Sequence, residues 1–341
     1  MAFGLFGAFI LGFLGTAMPR MLSARPLRPW EVIPLLLLHS LMVFAFLWEN
    51  ISVGDFLFLA LLAGFVSCMM TRIQQRKDTP PPGFILVGLA FLCVAAGSLL
   101  GLALHFVEEP DGRWITLQKL LAYQGFVLLP ILGIGPFILP RLFGLESSHN
   151  FPESLIPPRA WRRKAALAAS AGFLIIASFV VETFGFVRFA NGIRFAVTLG
   201  YIWIAMPFHR APPANSSMGS CIRLALGGVL AGFLTVACWP AYRVGLLHFT
   251  LVGGFAIITF VVATRVVFGH SGQLDRLKGP NRWLLAAIGL MLLGMATRIS
   301  ADFLPKVLVS HYIYGALSWI AGLLLWSAFV LPKVFRVEAD N

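Results

Sequence analysis

Residues 84–106 read FILVGLAFLCVAAGSLLGLALHF, twenty-three positions without an Asp, Glu, Lys or Arg. A helix rising about 1.5 Å per residue needs ~20 apolar positions to cross the hydrocarbon core of a bilayer. The stretch therefore reads as a membrane span. Its flanks are informative too: Arg72, Arg76 and Lys77 lie upstream, and Glu108, Glu109 and Asp111 lie downstream. Loops rich in Lys and Arg stay on the cytoplasmic side, so the basic flank sets the orientation of this span.

The same pattern runs through the whole chain. Eleven apolar stretches occur, at about 2–18, 32–48, 53–71, 84–106, 115–139, 165–183, 190–208, 221–240, 244–268, 283–303 and 309–331. Most of the 26 Lys and Arg residues fall in every second gap between them, among them Arg20, Arg25 and Arg28, then Arg159, Arg162, Arg163 and Lys164, then Arg276, Lys278 and Arg282. The other gaps hold acids such as Glu49, Asp55 and Glu182. This predicts an all-α, polytopic integral membrane bundle of about 11 transmembrane helices, a single domain over 1–341 with its carboxyl terminus in the cytoplasm. The longest cytoplasmic loop is expected at about 140–163, where Pro152, Pro157 and Pro158 precede an RAWRRK run that reads as an inner-leaflet anchor. Pro80, Pro81 and Pro82 read as a rigid turn.

Composition agrees: the chain is 59% hydrophobic and 12% charged, with a mean hydropathy of +0.86 over 341 residues. A soluble domain carries about 25% charged residues. The net charge of +12, which in a soluble protein would suggest nucleic acid, is explained by an inner surface facing anionic lipid. Cys68, Cys93, Cys221 and Cys238 form no CxxC pair and read as small buried hydrophobes. No phosphate-binding loop, nucleophile elbow, zinc-protease or dinucleotide motif is present. The fifth stretch contains PILGIGPF (130–137), and its Pro and Gly residues predict a kink or local unwinding there. No short repeat is apparent.

Ionisable groups at membrane depth are costly and mark functional positions. The seven histidines sort by topology. His105, His248 and His311 fall towards the outer side, where they could converge near the outer leaflet. His149, His209 and His270 belong to the inner side, and His39 lies two turns into the second stretch. Neutral imidazole ligates haem iron and copper, so His248, with His105 and His311, is the candidate ligand set. His248 and His270 sit 22 residues apart on one apparent helix, about 33 Å by the helical rise, and cannot share one metal. Arg298, with Asp302 four residues on, reads either as an i,i+4 ion pair or as a partner for a haem propionate or anionic substrate. Arg265 reads as a snorkelling residue, and Glu182, Arg188 and Arg194 as a further anion contact.

The segment HFTLVGGFAIITFVVATRVVFGHSGQ (248–273) resembles the signature of the NnrS family, which pairs a helix-opening His with a distal T-R-V-x-x-G-H-x-G. The opening MAFGLFGAFILGFLGTAMPRM, the fifth stretch and the closing YGALSWIAGLLLWSAFVLPKV are similar to other segments of that family. The resemblance implies a bacterial inner-membrane protein, typically of twelve helices, that holds haem and copper and is linked to denitrification and resistance to nitric oxide. It carries over to His248, Thr264, Arg265, Gly269, His270 and Gly272, with His248 and His270 as metal ligands and His105 matching a further family histidine. Two departures stand out. Met1 aligns with the Met of an HxHEM motif whose His and Glu residues lie upstream, which suggests a missing helix, and Gln273 replaces an expected Arg. The alternative reading is a secondary transporter without a redox cofactor, suggested by the broken fifth stretch and the scattered intramembrane polar groups.

Overall fold

The computed structural model describes residues 2–147, 149, 151, 154–210 and 216–335. Pro152 of the expected loop and the basic Arg336 lie outside the described residues, as does Met1. Each of the eleven apolar stretches forms a helix: α1 (Phe3–Met21), α2 (Pro29–Leu47), α3 (Ile51–Gln74), α4 (Phe84–Leu104), α5 (Gly112–Leu142), α6 (Arg159–Thr183), α7 (Val187–Ala205), α8 (Ser217–Cys238), α9 (Pro240–His270), α10 (Arg282–Phe303) and α11 (Pro305–Val334). Among the described residues no strand occurs. Ten of these helices are long and apolar enough to cross a membrane. The exception is α7, where Arg188, Asn191 and Arg194 interrupt the apolar run; the ten agree with the expected polytopic bundle of about eleven.

Capping follows the sequence. Helix ends leave backbone N–H groups without intrahelical partners. Here the side chains of Asn50, Asp111, Ser216 and Asn281 accept from Val53, Arg113, Gly219 and Leu284 N–H at 3.2, 2.9, 3.2 and 2.9 Å. Pro29 opens α2, and Glu31 accepts from the Arg28 N–H at 2.8 Å. The stop of α9 is Gly272, whose φ of 66° is a left-handed conformation that favours glycine. Gln273 N–H then reaches back to Phe268 O at 2.9 Å and Gly272 N–H to Gly269 O at 3.3 Å, a Schellman closure.

The break expected at PILGIGPF falls elsewhere. Residues Phe126–Leu142 are α-helical through Pro130 and Pro136, and the irregularity is a π segment just upstream, Leu120–Gly125. Such a segment lets the chain enter a Pro-containing helix without leaving the hydrogen-bonded ladder. The order of elements recurs. A π segment passes into an α-helix at Gly7, Phe126 and Ile257, and a packed helical pair follows the first and the third, α2–α3 and α10–α11. The packing recurs as well: a Cβ added at Gly97 of α4 would lie 2.8 Å from Ala122 N in the π segment of α5, and one added at Gly228 of α8 would lie 2.6 Å from Gly253 C in that of α9.

By internal contacts the chain forms two compact units. The first comprises Met1–Ile138, Glu146–Phe186 and Gly200–Met206, and the second Leu139–Leu145, Val187–Leu199 and Pro207–Asn341. In the first unit Arg72 is fully buried and paired with Glu31. Its guanidinium donates to Glu31 Oε1 at 2.7 Å, Cys68 O at 3.0 Å and Pro26 O at 3.2 Å, besides the second Glu31 oxygen. Trp161, within the RAWRRK run, donates its indole N–H to Pro80 O at 2.7 Å and so ties the start of α6 to the proline turn. Cys93 and Cys221 are buried, whereas Cys68 is half-buried and Cys238 exposed.

The connection between α5 and α6 holds one buried histidine. His149 is 3% exposed and its Nδ1 has no hydrogen-bond partner among the described residues. Burial, with the Lys164 charge adding to it, pushes its pKa from 6.5 down to about 4. Between those values the unfolded chain binds a proton that the folded chain does not, so stability falls as pH drops through 6.5 towards 4. Lowering the pH from about 7 to about 5 is expected to cost on the order of 2 kcal/mol. Limited proteolysis of this connection against pH checks it: cleavage rises on acidification in the native chain and stays flat in His149→Phe.

Candidate functional site

His248 stands at a junction within α9: an α-turn Arg243–His248 gives way to the π segment Phe249–Ala256, which passes into Ile257–His270. The π segment is held by close packing on α8. Thr250 is fully buried, its hydroxyl 3.4 Å from Val229 O, and a Cβ at Gly232 would meet Thr250 Oγ1 at 2.0 Å. Below His248, Leu246 joins Val236 and Ile299 in a small apolar core flanked by Phe249 and Met295. The backbone on both sides of the histidine is thus fixed by packing.

The imidazole is half-buried, with Nδ1 at 2.9 Å from Val244 O and 3.1 Å from Gly245 O. A carbonyl oxygen only accepts, so Nδ1 carries the hydrogen and Nε2 keeps its lone pair. This is the arrangement of a ligating histidine, whose other ring N–H is anchored to a carbonyl or carboxylate. His311 repeats it with Val307 O at 3.0 Å, and His270 with Val266 O at 2.8 Å.

A polar group from α10 and α11 completes the surroundings. Arg298 Nη1 pairs with Asp302 Oδ1 at 2.6 Å, the Tyr312 hydroxyl donates to the same oxygen at 3.3 Å, and the guanidinium stacks 4.1 Å from the Tyr312 ring centre. Gly245 makes the approach possible, since a Cβ there would lie 2.5 Å from Asp302 Oδ2. Both charges act electrostatically on His248. The i,i+4 ion pair expected of Arg298 is thus present, and Tyr312 locks it.

The expected residues are distributed as follows. His248, Arg298 and His311 belong to the second unit, on helices that pack either side of α10 or within it. His270 is exposed at the far end of α9 from His248. His105 belongs to the first unit, exposed at the end of α4. Of the motif positions, Thr264 is fully buried, donating to Phe260 O at 2.7 Å and accepting from Trp326 Nε1 at 2.9 Å. Gly272 supplies the helix stop, Gly269 has room for a Cβ, which would lie 3.9 Å from Leu274, and Arg265 is half-buried. Thr264 and Gly272 therefore serve the fold. Arg194 is fully buried with Asn191 Oδ1 at 3.3 Å, while Arg188 is exposed. Sequence reasoning missed Tyr312 and Gly245, which no local motif marks.

The donor set around His248 fits a group that needs one axial nitrogen. Among the described residues no cluster of three or more His, Cys, Asp or Glu side chains gathers, as a copper or zinc site built from side chains alone would require. A haem takes one or two axial histidines, and His248 Nε2 suits it. In comparison with known proteins, a family model described as NnrS protein matches residues 1–337. No curated protein and no solved structure matches the chain.

Proposed function

The chain belongs to the NnrS family, and on that premise we propose that it is a multi-pass protein of the bacterial inner membrane, carboxyl terminus in the cytoplasm, that serves the nitric-oxide stress response or denitrification and in which His248 Nε2 would hold the iron of a haem. The observation that carries this reading is the hydrogen bonding of the ring: two backbone carbonyls engage Nδ1 and leave the Nε2 lone pair to coordinate iron. When bound, haem would supply an iron able to take nitric oxide as a ligand. The remaining work falls to the protein's own groups. Val244 and Gly245 carbonyls orient the ring, the buried Thr250 turn fixes its backbone, and Arg298, steered by Asp302 and Tyr312, offers a cation to an anionic substituent such as a propionate. Copper, the other metal of the family reading, would need donors beyond those gathered around His248.

The visible absorption spectrum of the detergent-purified chain tests this. A Soret band is expected, largely lost in His248→Ala and retained in His270→Ala, whose imidazole is exposed at the other end of α9. A colourless, metal-free preparation would overturn the haem reading. The transporter reading would then be taken up by substrate uptake into proteoliposomes.

A further inference from the structure

An apolar groove of about 740 Å³ runs between α3 and α4 in the first unit, with Met18 and Leu22 of α1 at its base. On α3 it extends from Leu59 to Ile73, and on α4 from Phe84, where that helix starts, to Ala95. Leu59 to Ile73 is a step of 14 residues, a rise of about 21 Å, long enough for one leaflet's share, ~15 Å, of the hydrocarbon core. Gly88 keeps the groove open: it is exposed, and a Cβ added there would meet nothing within 4 Å. One end differs in character, being lined by Arg76, Pro80, Pro81 and Trp161. The bond from the Trp161 indole to Pro80 O holds the first turn of α6 at this mouth, and with it Arg162 and Arg163. These two, Arg76 and Lys77 are exposed and make no ion pair among the described residues. The acid of the same turn, Asp78, is engaged instead by the Thr79 and Ser154 N–H groups at 2.6 and 3.0 Å.

We propose that this groove binds an anionic phospholipid, with an acyl chain lying between α3 and α4 and the phosphate held by Arg76 together with Lys77, Arg162 and Arg163. The apolar wall alone selects nothing, because lipid tails are as apolar as the side chains they would meet. Selection comes from the mouth, where cations without a countercharge among the described residues attract an acidic headgroup. Arginine suits a phosphate, since its planar fork can give two parallel N–H···O bonds. An indole at the boundary between apolar wall and basic mouth is the usual interfacial place of tryptophan. Charge also argues against a second copy of the chain as the occupant, because each copy carries a net +12 and would bring like charge to the mouth. A free phosphate would leave the apolar length of the groove unused. The site is independent of the haem reading, and it gives the RAWRRK run, read from sequence as a general leaflet anchor, one specific partner.

Native mass spectrometry of the full, detergent-purified chain titrated with lipid tests the proposal. Phosphatidylglycerol is expected to bind about tenfold or more tighter than phosphatidylcholine with the same chains, and glycerol 3-phosphate is expected not to displace it. Each Lys or Arg near the headgroup accounts for about a fivefold factor, so the double variant Arg76→Gln, Arg162→Gln should bind phosphatidylglycerol about twenty-five-fold more weakly. Arg282→Gln, in the second unit, should bind as the native chain does. Gly88→Leu keeps every charge and fills the groove, and is expected to lose the preference for phosphatidylglycerol. Equal binding of the two lipids, or displacement by glycerol 3-phosphate, overturns the proposal on the native chain alone, whether or not a variant folds. So does an equal loss in Arg282→Gln, which would make the effect one of net charge, or unchanged binding in Gly88→Leu, which would place the lipid elsewhere. A dimer that Gly88→Leu dissolves would assign the groove to a second copy and overturn the proposal as well.

Discussion

Replacing Glu31 by Ala is expected to destabilise the first unit by about 3 kcal/mol or more, the cost of leaving a buried charge without its partner. Arg72 is fully buried and Glu31 takes both of its terminal nitrogens. The carbonyls of Cys68 and Pro26 remain as acceptors, but neither carries a countercharge, and Arg72 Nε already lacks a partner among the described residues. The two ends of the pair are unequal. Glu31 is 15% exposed, has Arg25 at 3.8 Å and accepts the Arg28 N–H, so Arg72→Met leaves it solvated and should cost much less. The double variant should resemble Arg72→Met alone. Thermal unfolding in detergent of the two single variants and the double variant measures this; equal losses for both single variants would contradict the asymmetry.

Gly232→Ala is expected to cost about 3 kcal/mol, the upper range for overpacking, and, on the proposed haem reading, to remove the Soret band along with it. The added methyl would meet Thr250 Oγ1 at 2.0 Å and Thr250 N at 2.7 Å. A side-chain rotation relieves the first contact and leaves the second, which is backbone. The π segment must therefore move, and His248 stands two residues before Thr250. Gly227→Ala, on the same helix with nothing within 4 Å of the added atom, should be neutral or gain up to about 1 kcal/mol from helix propensity. Thermal stability and the Soret absorbance of the two variants, measured together, separate a local steric effect from a general intolerance of α8 to alanine.

The eleven helices were legible because apolar length is a signal each segment carries by itself, and the alternating basic gaps reinforced it. Of the eleven, α7 is the least apolar, since it has the length but carries Arg188, Asn191 and Arg194 within it. Arg194 is buried against Asn191, and pairing of that kind is a tertiary property. His248 could be named from its helix-opening position and motif, whereas the tautomer that gives it meaning comes from Val244 and Gly245 in the preceding turn. Tyr312 and Gly245 were invisible because they meet Asp302 from two other helices. Asp55 was misread for the opposite reason: an acid near the edge of an apolar run looks like a loop residue, yet it lies inside α3 and is buried. The π segments had no sequence mark beyond glycine.

Those π segments also set angular phase. An α-helix advances about 100° per residue, and a π turn accommodates one residue more in a turn before the α-ladder resumes. In α9, side chains before Phe249 and after Ala256 therefore follow two different helical wheels. Val244 and His248 share one face by the first wheel, and Thr264, Phe260 and Phe268 share another by the second. A mutational scan plotted on a single wheel across 240–270 would scatter its sensitive positions around the whole circumference. Plotted as two wheels offset at the π segment, the same positions should fall into one stripe towards Asp302 and one towards Trp326.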